Sequence, residues 1–208
     1  MPCFNQFAMR KAVRHLRRAD PLLAAVIDRI GPCRIAYREP VFDSLARSIV
    51  FQQLNGRAAS SIYSRLEAAC GAPLTPEKLL RLRLPRLRSL GVSPQKAAYL
   101  RDLAKRTIAG EIAFPDLASL PDQDVIERLT AVKGIGVWTA QMFLIFALRR
   151  PDVLPTGDFG VRSAMRNIYG LPDLPKPAEM ERIGAIWRPW RSVASWYLWR
   201  TVDGDAEI

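Results

Sequence analysis

The stretch Leu129-Thr-Ala-Val-Lys-Gly-Ile-Gly-Val-Trp-Thr-Ala140 sets two glycines around one apolar residue, between two helical patterns. Glycine permits positive φ and lets another backbone come close, because no Cβ intervenes. A helix opening at about Val137 starts with amides that have no internal acceptor. With the helix dipole and the bare glycine backbone, those amides form a seat for an anion. A dinucleotide-binding loop would need a third glycine where Thr139 stands, and a strand before it. That reading is rejected, and an ordinary tight helix–helix turn remains the alternative. A second candidate is Asp158, in Leu154-Pro-Thr-Gly-Asp-Phe-Gly-Val-Arg162. It stands just before a helical pattern, where aspartate is among the best N-caps, and on position alone it is a cap.

Composition closes off several other chemistries. The three cysteines, at 3, 33 and 70, form no CxxC, which excludes a disulfide scaffold and a cysteine-ligated zinc or iron–sulfur site. His15 is the sole histidine, so a histidine-rich metal site is excluded and a Ser/His/Asp triad would have one base to draw on. Against 20 acids stand 25 Arg and 6 Lys, giving net +11 and a pI near 10.2. Such a chain suits a polyanion, nucleic acid first. From Arg81 to Arg106 there are eight basic residues against the single acid Asp102. This is either a solvated face or a phosphate-facing surface that includes Lys96. The start of the chain has no signal-peptide pattern, and no apolar run reaches the length of a membrane span. The expectation is a soluble, intracellular protein.

The elements that must position these residues read as all-α. Helical faces run over 44–54, 57–70 (closed by Gly71), about 94–109 (with Gly110 past its end), 122–132, 137–148 and 159–169 (closed by Gly170). Asp122 is the expected cap of its helix. Short Leu/Arg segments fill 79–90. Leu80-Arg-Leu-Arg-Leu84 alternates like a strand, but its flanks read as helix. A Pro-rich connector at 171–179 precedes one or two helices up to about Trp199, and Asp203–Glu207 forms an acidic tail.

Four ordered stretches carry a family resemblance. Gly134-Ile-Gly-Val-Trp-Thr-Ala-Gln141 resembles the helix-hairpin-helix of DNA base-excision glycosylases, and Asp158 follows Gly136 by 22 residues, about the family's spacing. Ser48–Ala59 resembles the family's segment that probes the duplex. Trp187-Arg-Pro-Trp-Arg-Ser192 is similar to the C-terminal motif of the 3-methyladenine DNA glycosylase II branch. The resemblance covers residues 40 to 200. It implies two helical lobes with the active-site cleft between them and no N-terminal β domain. The expected division is 41–155 as the central lobe with the hairpin, and 1–40 with 156–208 as the lobe carrying the aspartate.

The same resemblance assigns roles. Asp158 becomes the catalytic carboxylate, facing an oxocarbenium-like sugar and aligning water. Leu54 is the wedge that fills the gap left by a flipped base, flanked by Gln53 and Asn55. Trp138 and Trp190 line an aromatic pocket for an electron-poor or cationic purine, while Trp196 and Trp199 read as core. Gly134, Ile135, Gly136, Thr139 and Lys96 contact DNA. Carbonyls of Thr130, Val132 and Ile135 would hold a monovalent cation, and no other cofactor is implied. Bifunctional branches carry lysine two residues after the second hairpin glycine, where Trp138 stands here. No cysteine follows residue 70, so the four-cysteine cluster of other branches is absent. The implied protein is a monomeric, monofunctional glycosylase that removes alkylated purines from double-stranded DNA. It would act in the cytoplasm or nucleoid of a prokaryote or the nucleus of a eukaryote. A glycosylase for deaminated or etheno adducts, and a catalytically silent DNA-binding protein, are the alternatives.

Overall fold

The computed structural model describes residues 6–202; Cys3 and the acidic tail Asp203–Glu207 lie outside them. Helices and loops account for all of the described chain, with no strand among them. The helices are α1 (Gln6–Ala19), α2 (Pro21–Ile30), α3 (Phe42–Phe51), α4 (Gly56–Cys70), α5 (Pro76–Arg81), α6 (Leu84–Ser89), α7 (Pro94–Ile108), α8 (Phe114–Leu117), α9 (Asp122–Thr130), α10 (Val137–Phe146), α11 (Phe159–Tyr169), α12 (Pro177–Gly184) and α13 (Arg191–Val202). A single 3-10 turn, Ala185–Trp187, precedes α13.

Punctuation explains most boundaries. Asp20, Thr75 and Ser93 each cap a helix through a side-chain oxygen, and each is followed by proline at the first helical position. Gly71, Gly110 and Gly170 follow the ends of α4, α7 and α11, all at positive φ. The alternating 80–84 stretch is helical at both ends, because Leu82 and Arg83 merely separate α5 from α6. Asp122 is the first residue of α9 rather than its cap, which is Pro121. It still places a negative charge in the first turn, where the dipole favours it.

The chain divides into two compact units. One comprises residues up to Tyr37 together with those from Leu144 onward; the other spans Arg38–Phe143. The second boundary lies inside α10, earlier in the chain than the expected 155/156. In the 38–143 unit α7 is the hub, packed by α3, α5 and α6, with Leu45, Ile49, Leu79, Leu87, Leu100 and Leu103 fully buried. In the other unit α13 is the hub, packed by α2 and α11 and buried continuously from Arg191 to Trp199. Its buried polar residues Arg191, Ser192 and Ser195 are each hydrogen-bonded, which lets a helix with polar members sit inside a core. No helix among the described residues is long and apolar enough to cross a membrane.

Candidate active site and nucleic-acid interface

The hairpin between α9 and α10 is fixed from beneath. Gly134 adopts φ +80°, and a Cβ there would sit 2.1 Å from the Tyr99 ring, so conformation and space both demand glycine. The Lys133 amide donates to Asp102 Oδ2 at 2.9 Å, and Asp102 pairs with Arg106 at 3.1 Å. Burial pushes the Asp102 carboxyl upward, but the Lys133 amide and the Arg106 guanidinium outweigh it and hold the group below the usual carboxylate range. The side chains of Ile135 and Thr139 are buried, at 4% and 5% exposure, so only backbone is left at these positions to face outward. Gly136 differs from Gly134: a Cβ there meets nothing within 4 Å. Its bare backbone faces open space at the start of α10, where the Ala140 amide makes its bond back to the Gly136 carbonyl. Val137 and Trp138 follow it on the surface, Trp138 at 46% exposure.

Beside the hairpin lies the turn joining α3 to α4. Gln53 adopts φ +53°, uncommon for a residue with a Cβ. Leu54 is 40% exposed, so it is not core. Asn55 caps α4, accepting the Ala58 amide at 2.8 Å. Gln52 Nε2 donates to the Gly134 carbonyl at 2.9 Å and ties this turn to the hairpin. Lys96 departs from its expected role as a phosphate contact. Its ammonium points inward and donates to the carbonyls of Val50 and Gln52 at 2.7 and 2.6 Å. Sequence spacing carries no sign of this contact, since the partners lie more than forty residues away.

In the other unit Asp158 is 8% exposed and caps α11. Its Oδ1 accepts two donors, the Val161 amide at 2.8 Å and the Trp199 indole N–H at 2.9 Å. Trp199, expected as core, is buried but has this polar task as well. It stacks on Phe146 with ring centroids 5.8 Å apart. A Cβ on Gly160 would come within 3.2 Å of both Asp158 Oδ1 and the Trp199 ring, so a small residue keeps the pair in register. The one available signal was general: a buried indole N–H needs an acceptor.

The loop leading to Asp158 is pinned by the Arg-Ser pair of the C-terminal motif. Arg191 Nε donates to Asp152 Oδ1 at 2.7 Å and Arg191 Nη1 to Glu181 Oε2 at 2.8 Å. Ser192 Oγ donates to the Arg150 carbonyl at 2.7 Å and accepts the Val153 amide at 3.0 Å. Trp190, half-buried at the head of α13, receives the Val193 and Ala194 amides on its carbonyl. Neither described cysteine is poised as a nucleophile: burial pushes the Cys33 thiol up to about 12 and raises Cys70 as well.

Comparison with known proteins decides the family. The model of the HhH-GPD superfamily of base excision DNA repair proteins matches residues 46–189, which include the hairpin, Asp158 and the first three residues of the C-terminal motif. This chain belongs to the HhH-GPD superfamily. DNA-3-methyladenine glycosylase 1 of Schizosaccharomyces pombe is 34% identical over 200 residues, 93% of this chain and 88% of its own. A solved structure of that organism's 3-methyladenine DNA glycosylase, in complex with abasic DNA, superposes with TM-score 0.82 at 33% identity, covering 95% of this chain and all of its own. A DNA-3-methyladenine glycosidase from Bacillus halodurans reaches TM-score 0.82 at 38% identity, covering 91% and 88%. The two-lobed helical architecture expected from the sequence is thus that of HhH-GPD proteins. Within this HhH-GPD chain, the second residue after Gly136 is Trp138.

Proposed function

We propose that the protein is a monofunctional DNA glycosylase that hydrolyses the N-glycosidic bond of alkylated purines, such as 3-methyladenine and 7-methylguanine, in double-stranded DNA. The buried Asp158 carboxylate, aimed by one helix amide and one indole N–H, carries this reading. The names of the near full-length relatives support it.

The backbone amides around Gly136 grip phosphate without reading sequence. Leu54 enters the stack while the damaged nucleotide turns out, offsetting part of the few kcal/mol that flipping costs. Trp138 and Trp190 offer π faces to the extruded base, which alkylation has made electron-poor. The bond from C1′ to the base nitrogen breaks, and the base leaves with the electron pair. Asp158 faces the positive charge that develops on the sugar and aligns a water. The water oxygen bonds to C1′, and its proton passes to the carboxylate and on to solvent. Alkylation has already weakened the bond, so no covalent enzyme intermediate is needed. The protein acts as a monomer, and its DNA substrate places it in a nucleoid or a nucleus.

A monovalent cation would be held by the carbonyls of Thr130, Val132 and Ile135. Val132's carbonyl already accepts the Ile135 amide at 3.1 Å, which leaves its second lone pair for the ion. Bound there, the cation would add positive charge beside the phosphate seat.

Duplexes carrying single defined lesions test the substrate class: methylated purines are released, while undamaged, deaminated and etheno bases are released far more slowly. Equal release of deaminated or etheno bases would shift the assignment to them. Trp199→Phe keeps the stacked ring and deletes one donor to Asp158. It should slow single-turnover excision roughly tenfold, in line with the loss of one hydrogen bond to a charged group. An unchanged rate would show that the indole bond does not orient the carboxylate.

A further inference from the structure

Lys96 has a position that the phosphate-binding role does not explain. Helix α3 ends at Phe51 with its last carbonyls beyond intrahelical reach. The usual remedy is a glycine in the left-handed region just past the end. This chain has none there: Gln52 is extended, at φ −53° and ψ 132°, and it is Gln53 that turns left-handed. Such a conformation is strained for a residue with a Cβ and persists only where surroundings impose it.

The surroundings here are three clamps. Lys96 Nζ bridges the carbonyls of Val50 and Gln52, one on each side of the helix end. The Gln52 side chain bonds the Gly134 carbonyl, and Asn55 caps α4. Leu54 lies between these fixed points and projects outward. Lys96 is itself well seated, since its amide is capped by Ser93 Oγ at 3.2 Å in the first turn of α7. One turn further along α7, Tyr99 forms the floor under Gly134, and its hydroxyl is held by Gln95 at 2.5 Å. A single helix face thus supports both the probing turn and the hairpin.

We infer that Lys96 is a positioning residue for base flipping: with Gln52 it locks the Gln52–Asn55 turn to the hairpin, so that Leu54 enters the stack at a fixed distance from the gripped phosphates. This rests on the glycosylase reading and on Leu54 as the wedge. Burial lowers the affinity of the Lys96 amine for its proton, the mark of a group turned away from solvent. A wedge misplaced by a fraction of a turn still leaves the pocket and Asp158 intact, so the loss should fall on the flipping step alone.

The test uses the full chain and two duplexes, one with 7-methylguanine paired to cytosine and one with the same lesion opposite an abasic analogue, where flipping is cheap. Lys96→Met, which keeps the stem and loses the charge, should lower single-turnover excision from the paired lesion roughly 10- to 100-fold, the scale of a lost charge-assisted hydrogen bond. Excision of the unpaired lesion should be nearly unchanged, and so should the salt dependence of binding to undamaged duplex. Gln52→Leu leaves Lys96 in place, cuts only the side-chain bond to Gly134, and should show the same selective loss. It decides the matter if Lys96→Met does not fold. Equal loss on both duplexes overturns the inference, as does a salt slope reduced by about one with the paired-lesion rate unchanged, the mark of a phosphate contact. Wild-type turnover on both duplexes separates failure of this inference from failure of the glycosylase reading.

Discussion

Asp158→Asn lowers excision by on the order of 10²–10³ while leaving affinity for damaged duplex nearly intact. Asparagine keeps the shape, and its carbonyl oxygen can still accept the Val161 amide and the Trp199 indole, so cap and fold survive. What disappears is the negative charge facing the oxocarbenium-like sugar. The cap and the catalytic role therefore give opposite expectations for one substitution: a pure cap would lose a little stability and no rate. Single-turnover excision and thermal unfolding, measured on the same preparation, separate them. A variant that folds and excises at wild-type speed would remove Asp158 from the chemistry.

Gly134→Ala has the second large effect, on binding. The new methyl would meet the Tyr99 ring at 2.1 Å while the backbone is held at φ +80°. Left-handed strain and overpacking together cost about 2–5 kcal/mol. The hairpin relieves this by moving, and it carries with it the Gly134 carbonyl that anchors Gln52. Affinity for duplex should fall at every sequence, damaged or not, because phosphate contacts carry no base information. Adding Tyr99→Ala removes the clash but not the φ strain, so the double variant recovers part of the loss. Recovery is read by titrating an undamaged duplex. Full binding by Gly134→Ala alone would mean that the hairpin is not the phosphate seat.

What the sequence made legible was local. The need for glycine in the hairpin, the cap at Asp158, and the glycines that follow α4, α7 and α11 each depend on neighbours within a few residues. Helix periodicity then set the hairpin between two helices, and the family resemblance marked the probing turn. Partners across the fold were not legible. Nothing in the spelling of Trp199 says that its indole meets Asp158, 41 positions earlier, or that Lys96 reaches back to Val50 and Gln52. Arg191 and Ser192 stood inside a recognised motif, but their grip on residues 150–153 exists only once α13 is buried. The inner boundary at Leu144 was missed for a related reason: it falls within one continuous apolar helix, where composition does not change.

The most direct measurement concerns the product. Trp138 stands where a lyase would carry its amine, and an indole cannot form a Schiff base. With water as nucleophile, a duplex bearing one 7-methylguanine should yield free base and an abasic site in an unbroken strand, nicked only on later treatment with alkali. Borohydride added during turnover should trap no protein–DNA adduct. A borohydride-stable complex formed in step with base release would contradict hydrolysis by an Asp158-aligned water, and would direct the search for a nucleophile to Lys133.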